Sequence, residues 1–220
     1  MSSGTTEFVS ILAGNYMQPL GVLIERLVAK PREGLDGIKV NERETDWAIS
    51  AILIAVVMFE GWLMRVRYDL GASAPNERQA LDFYQALQTQ YPLPEVTEAF
   101  VMRDIVAHNH LWSVTFTWDD SGHQLVGSNL MTGGDKKYRQ VVDSGTGLTK
   151  GHQLHVNPKL IDRSDVKKVL QIILDAMQAL ERAGLLMPQA LRTPAWLLPA
   201  GQPTHRGTTA HTLADLIALI

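Results

Sequence analysis

The sequence predicts an all-α protein, a bundle of about five helices into which one β-hairpin is inserted. Two observations carry this reading. Through most of the first 108 residues, apolar side chains recur at three and four positions, the spacing of one helix face. From Trp112 to about Leu130 the period changes to two, around the turn Asp119-Asp120-Ser121-Gly122, as in a hairpin. The long helical patterns come first and no alternating strand–helix series appears, which is incompatible with a parallel sheet.

Each element has its own signals. Phe8, Leu12, Tyr16, Leu20, Leu23 and Leu27 predict a helix from about Glu7 to Lys30, stopped by Pro31. Pro19 inside that pattern predicts a kink or a break near Tyr16. Asn41 can cap the next helix, with Glu44 three residues on to complete a capping box. That helix carries Trp47, Ile49, Ile52, Leu53, Val56, Val57, Phe59, Leu63 and Val66 and ends near Gly71. Its apolar surface is broad enough for a central position in the bundle. Ala74-Pro75-Asn76 opens a third helix, and a fourth follows Pro94 and runs into Arg103. A glycine-rich polar stretch from Thr132 follows the hairpin, and 144–151 reads as loop. The last long helix spans about Asp162 to Glu181, with Gly184 behind its end. Residues 7–183 thus form one helical domain with the hairpin at about 112–130. Residues 184–220 form an extension rich in proline, draped over the core by Trp196, Leu197 and Leu198 and closed by a short helix from Thr209.

Composition narrows the function. A chain of 220 residues with 45% hydrophobic and 20% charged residues is an ordinary globular protein. Its formal net charge of -3 offers no global basic field, so any contact with nucleic acid must be local. The absence of cysteine removes disulfides, thiolate catalysis and cysteine-based metal sites, and fits a cytoplasmic protein. Met1 to Glu7 lacks the basic-then-apolar pattern of a signal peptide. The apolar run Ala48 to Phe59 is shorter than a bilayer span, so no membrane partner is expected.

The chemistry concentrates in Arg103-Asp104-Ile105-Val106-Ala107-His108, followed by Asn109-His110. Arginine can grip a phosphoryl group in a two-point fork, and histidine can move protons near neutral pH. Together they suit cleavage of a phosphodiester. Spacing alone does not single them out, because Arg206 and His211 share it. Context does, since Arg103 ends an amphipathic helix. On a regular helix, five residues separate side chains by about 140° and seven bring them nearly into register. His110 therefore aligns with Arg103 better than His108 does, unless the helix end distorts. The structural alternative is a histidine capping a helix C-terminus beside a solvated Arg–Asp pair.

The segment resembles the signature of the HEPN superfamily: an arginine, a polar residue, then a histidine after four to six intervening residues. Arg103, Asp104 and His108 match at the shortest spacing, and His110 at the longest. The order of two long helices, a third, a motif helix and a closing helix is similar too. The resemblance implies a metal-independent endoribonuclease of toxin or antiviral-defence type, a homodimer with the two motif helices facing across an RNA cleft. It implies no cofactor, and an antitoxin or regulatory protein as a further partner. Arg103 would neutralise the scissile phosphate and His108 would transfer protons, with His110 and Asn109 as accessory residues. Asp104, where Asn is commoner, would orient Arg103 or steady the helix packing. Glu60 is the acidic residue that the second helix would supply; the alternative is a surface pair with Arg65. A non-cleaving HEPN-like module that binds RNA, a nucleotide or a protein is the competing reading, and an unrelated helical regulatory protein a third.

Other motifs read as structural. Gly133-Gly134-Asp135-Lys136-Lys137 lacks the pattern of a phosphate-binding Walker loop, and Gly145-Thr146-Gly147 that of a dinucleotide loop. His152 and His155, near Asp143 and Asp162, lack the fixed third ligand of a zinc site, so no metal is expected. Trp112, Phe116 and Trp118 can stack on bases, but strand aromatics more often cover a neighbouring helix.

Overall fold

The computed structural model describes residues 12–30, 42–107, 112–119, 122–130, 135–197 and 209–220. Among them the chain is a mainly helical bundle with short two-stranded antiparallel ladders and no larger sheet. No strand occurs among the described residues before Trp112.

The break expected near Tyr16 is a change of helix type. A 3-10 segment, Leu12–Tyr16, passes into α1, Met17–Val28. Pro19 falls in the first turn of α1, where its missing N–H costs no intrahelical bond. The buried stripe of α1 is Met17, Leu20, Gly21, Ile24 and Leu27, continued by Ala13 in the 3-10 segment. Leu12, which the sequence pattern places with Leu20 and Leu27, is 66% exposed.

Helix α2, Glu42–Leu70, is the centre of the bundle. Ala48, Ala51, Ile52, Ala55, Val56, Phe59, Leu63 and Val66 are buried. They pack against α1, against α4 (Leu93–Ala107) and against α6 (Arg163–Arg182). The apolar stretch is longer than 48–59 because the helix continues through Trp62, Leu63 and Val66. By length and hydropathy alone it could cross a membrane, with mean hydropathy 1.9 over 18 residues, but half of that window is buried inside the protein.

The N-terminal end of α2 is tied down by charge. Asn41, the expected cap, lies outside the described residues. Glu44 accepts from Arg163 Nε at 2.7 Å and from Nη2 at 2.9 Å, and the same Nη2 donates to the Lys30 carbonyl at 3.0 Å. One buried arginine thus joins the ends of three helical segments. Asp162 and Asp165 form a reciprocal capping box at the start of α6.

The third helix, α3, is only Ala80–Ala86. It starts later than Ala74-Pro75-Asn76 suggests, because Gly71–Ser73 forms a 3-10 turn and residues 75–78 run without helical hydrogen bonds. Strands β1 (Trp112–Asp119) and β2 (Gly122–Leu130) form the expected hairpin, with an irregularity between Thr115 and Phe116. The side chains of Trp112, Phe116 and Trp118 lie outside the described residues. Helix α5, Lys136–Val141, was not apparent in the glycine-rich sequence before it. Asp135 caps it by accepting from the Tyr138 amide at 2.8 Å. Strands β3 (Val142–Asp143) and β4 (Leu148–Thr149) make a two-residue ladder.

The C-terminal extension joins the same core through α7 (Pro188–Arg192), β5 (Ala195–Leu197) and α8 (Leu213–Leu219); the helix expected from Thr209 begins only at Leu213, because β6 (Thr209–His211) pairs with β5. Its anchoring differs from the expectation. Strand alternation turns Ala195 and Leu197 inward and Trp196 outward, leaving Trp196 53% exposed. The backbone of Trp196 is held by Gln18, whose Oε1 and Nε2 lie 2.8 and 2.9 Å from its N and O. Leu198 lies outside the described residues.

Close approach to α2 depends on Gly61. A Cβ there would lie 2.8 Å from Ala13 Cβ and 3.2 Å from Ala13 Cα. Glycine to alanine in a helix normally gains about 1 kcal/mol. Here Gly61→Ala is expected to destabilise by about 1–3 kcal/mol through overpacking. Urea denaturation checks this, and a more stable variant would contradict the packing described.

Candidate functional site

Two helices build the site. In α4, burial of Val96, Ala99, Phe100, Met102 and Ile105 leaves Arg103 and Asp104 at the half-exposed margin near its C-terminal end. In α2, Phe59 and Leu63 point into the core, and Glu60 lies at the same margin. The packing of α2 on α4 brings Glu60 and Arg103 together.

The contact has two points. Arg103 Nη2 is 3.1 Å from Glu60 Oε1, and Nη1 donates to Oε2 at 3.4 Å. Asp104 Oδ1 lies 2.8 Å from Arg103 Nε. That N–H makes no aligned hydrogen bond, so the short distance is a charge contact. Adjacent helical residues do not normally face each other, yet the long arginine side chain brings its guanidinium alongside. The guanidinium also sits 5.5 Å from the centre of the Phe100 ring. Phe100 meets Phe59 edge-on at 6.2 Å, and Phe59 meets Tyr84 at 5.9 Å. The ion pair therefore rests on an aromatic floor.

Burial pushes the Glu60 carboxyl above its ordinary value; Arg103 pulls it down, and Asp104 pushes it further up. The upward influences win. The site opposes ionisation of a carboxylate that already has an arginine partner. Such a group, on the margin of a core, is suited to proton transfer. The two-point grip that Arg103 gives Glu60 is the grip an arginine gives a phosphate.

Of the residues singled out in the sequence, the structure joins Arg103, Asp104 and Glu60. His108, Asn109 and His110 lie outside the described residues, directly after the end of α4 at Ala107. The Glu60–Arg65 pair considered from the sequence is not formed, because Arg65 Nε contacts Asp69 Oδ2 at 2.8 Å, one helical turn on.

His152 and His155 both contact carboxylates. Glu98, 2% exposed, accepts from Thr149 Oγ1 at 2.9 Å and from the amides of Gly151 and His152 at 2.6 and 2.9 Å. His152 Nδ1 stands 3.1 Å from Glu98, and its Nε2 stands 3.4 Å from Glu95. His155 Nδ1 stands 3.0 Å from the fully buried Asp165. That hydrogen bond is the main cause of a raised His155 pKa, against an opposing effect of burial. Asp143 receives the Gly145 amide, and Asp162 caps α6. Among the described residues, no three histidines or carboxylates are grouped to hold a metal. Glu98 had a legible signal, a lone carboxylate inside the apolar run from Val96 to Met102. An open groove lined by Asp69, Glu181 and Gly184 to Pro188 lies at the far ends of α2 and α6 and includes no residue of the Arg103 cluster.

No family model, curated protein or solved structure matches the chain.

The raised pKa of Glu60 has a sign that can be measured. Folding favours its protonated form, so its contribution is greatest below the unfolded value, about 4.3, and is lost as pH rises through the folded value. Glu60→Gln imitates the protonated form. Its stability relative to wild type is expected to improve from pH 4 to pH 7.5 in parallel urea titrations. A relative loss over that interval would mean that Arg103 outweighs burial.

Proposed function

We propose that this chain is a HEPN-like, metal-independent endoribonuclease of toxin or antiviral-defence type, acting in the cytoplasm as a homodimer. The observation that supports it best is the pairing of Glu60 with Arg103. These residues lie 43 positions apart on different helices, and they meet at the end of the segment that leads into His108. A half-buried carboxylate whose ionisation is opposed costs stability, and such costs concentrate at functional sites.

The reaction needs few parts. A base, His108 or His110, takes the proton of the ribose 2′-hydroxyl. The 2′-oxygen bonds to phosphorus as the bond to the 5′-oxygen breaks, and an acid returns a proton to that leaving oxygen. The products are a 2′,3′-cyclic phosphate and a 5′-hydroxyl. Arg103 neutralises charge building on the phosphate oxygens. The phosphate must then displace Glu60 from the Nη edge, and protonation of Glu60 makes that exchange easier. Asp104, whose Oδ1 stands 2.8 Å from Nε, draws the guanidinium toward it by charge. Two copies facing across a two-fold axis would double these groups around one RNA backbone. An antitoxin or regulatory protein is the further partner this reading implies.

One observation favours the alternative, a non-cleaving module that binds RNA, a nucleotide or a protein. Glu60 and Asp104 both contact Arg103, so with both ionised the cluster sums to one negative charge. An arginine held this way is a poorer phosphate ligand.

Cleavage assays separate the two. RNA is expected to be cut in EDTA, DNA to be left intact, and the products to carry 2′,3′-cyclic ends. His108→Ala is expected to cost about 10²–10⁴ in rate. Arg103→Lys is expected to fail substantially, because a point cation cannot reproduce the fork. Loss in His110→Ala with full activity in His108→Ala would move the site to the longer spacing. Unchanged cleavage in both single variants and in the double variant would remove the cluster from catalysis.

A further inference from the structure

An acidic chain that cleaves RNA needs a local cationic surface, and Arg103, held by two carboxylates, supplies little of one. The part of the fold beside it that does is α5. Lys136, Lys137 and Arg139 all lie on this six-residue helix, which packs against α4. Lys136 and Arg139 are exposed and, three residues apart, share a helix face. Among the described residues neither side chain has an acidic partner, and the one carboxylate at the start of the helix, Asp135, is turned onto the Tyr138 amide.

Lys137 links this face to the site. It is half-buried, and its Nζ donates to Gln79 Oε1 at 3.1 Å. Its positive charge also draws the Glu60 carboxyl downward, so the ammonium stands within electrostatic reach of the carboxylate that holds Arg103. The helix itself is fixed at both ends: Asp135 caps the first turn, and Lys150 Nζ donates to the Gln140 carbonyl at 2.8 Å in the last. Three cations are thus carried on a short, braced element.

We infer that α5 is a phosphate-binding track on which single-stranded RNA lies, with Lys136, Lys137 and Arg139 each meeting a backbone phosphate. This deepens the ribonuclease reading and rests on it for the identity of the ligand.

The test is the salt dependence of binding to a fluorescent single-stranded RNA of about twelve nucleotides, with cleavage followed in parallel. Each phosphate contact contributes a slope of about 0.7 in log Kd against log salt for single strands. Lys136→Gln/Lys137→Gln/Arg139→Gln is expected to lower the slope by about 2 and to weaken binding about tenfold or more at 0.15 M salt. The control Lys167→Gln/Arg182→Gln/Arg192→Gln removes as many positive charges from other surfaces and is expected to keep the wild-type slope. Replacing Lys136 and Lys137 by arginine should keep it as well, which separates charge from fold, and circular dichroism confirms folding of every variant. Equal slopes in the α5 triple variant and the control would overturn the track, even if the wild type cleaves RNA. Wild-type protein that binds RNA with the expected slope but never cuts it would overturn the nuclease reading and leave the track standing. Absence of RNA binding by the wild type at micromolar concentration in 50 mM salt would overturn both.

Discussion

The structure depends on the packing of α2 against three other helices at once. A helix that must touch α1, α4 and α6 at once cannot carry large side chains all round. Ala48, Ala51 and Ala55 are fully buried, and Gly61 admits the Leu12–Tyr16 segment so closely that a Cβ would collide with Ala13. Small residues let the neighbours approach, while Phe59, Leu63 and Val66 fill the space between them. Glu60 is carried at the margin of this helix. Its partner is set by where α4 can pack, and the site follows from the core.

Charge is used sparingly and with few loose ends. Arg163 ties Glu44 to the Lys30 carbonyl, Glu98 gathers the loop at 149–152, and Asp165 serves both His155 and the start of α6. Breaking a buried pair of this kind costs about 3–5 kcal/mol, so these contacts fix the polar segments onto the helices. Glu60 differs from them. It has a partner, yet burial and the neighbouring Asp104 still push its carboxyl above the ordinary value.

The fold was largely legible because long helices announce themselves by period. The central helix, the hairpin from Trp112 to Leu130 and the helix begun by Asp162 all carry strong local signals. The terminal helix of the extension was legible in part, since its expected first residues, Thr209–His211, pair with β5 instead. What escaped were features set by tertiary contact. Burial of Met17, Gly21 and Ile24 in place of Leu12 and Leu23 follows from the neighbours of α1, the outward turn of Trp196 followed strand alternation, and α5 is too short to show a period. The site was half legible. Arg103 and Asp104 stood out as a motif, but the choice of Glu60 over Arg65's reach depended on how α2 crosses α4, which no local pattern encodes. The roles of His152 and His155 depended in the same way on Glu98 and Asp165, which lie far off in sequence or across a turn.

The most direct measurement of the central claim, that α2 and α4 build one charged unit, is a double-mutant cycle on stability at pH 7.5. It would use Glu60→Gln, Arg103→Gln and the pair. Residues in one ion-pair network show interaction energies of about 0.5–3 kcal/mol, whereas independent sites add to within about 0.5 kcal/mol. Coupling inside the first range is expected. Additive effects would mean that Glu60 and Arg103 do not act on each other, and the site described here would lose its basis.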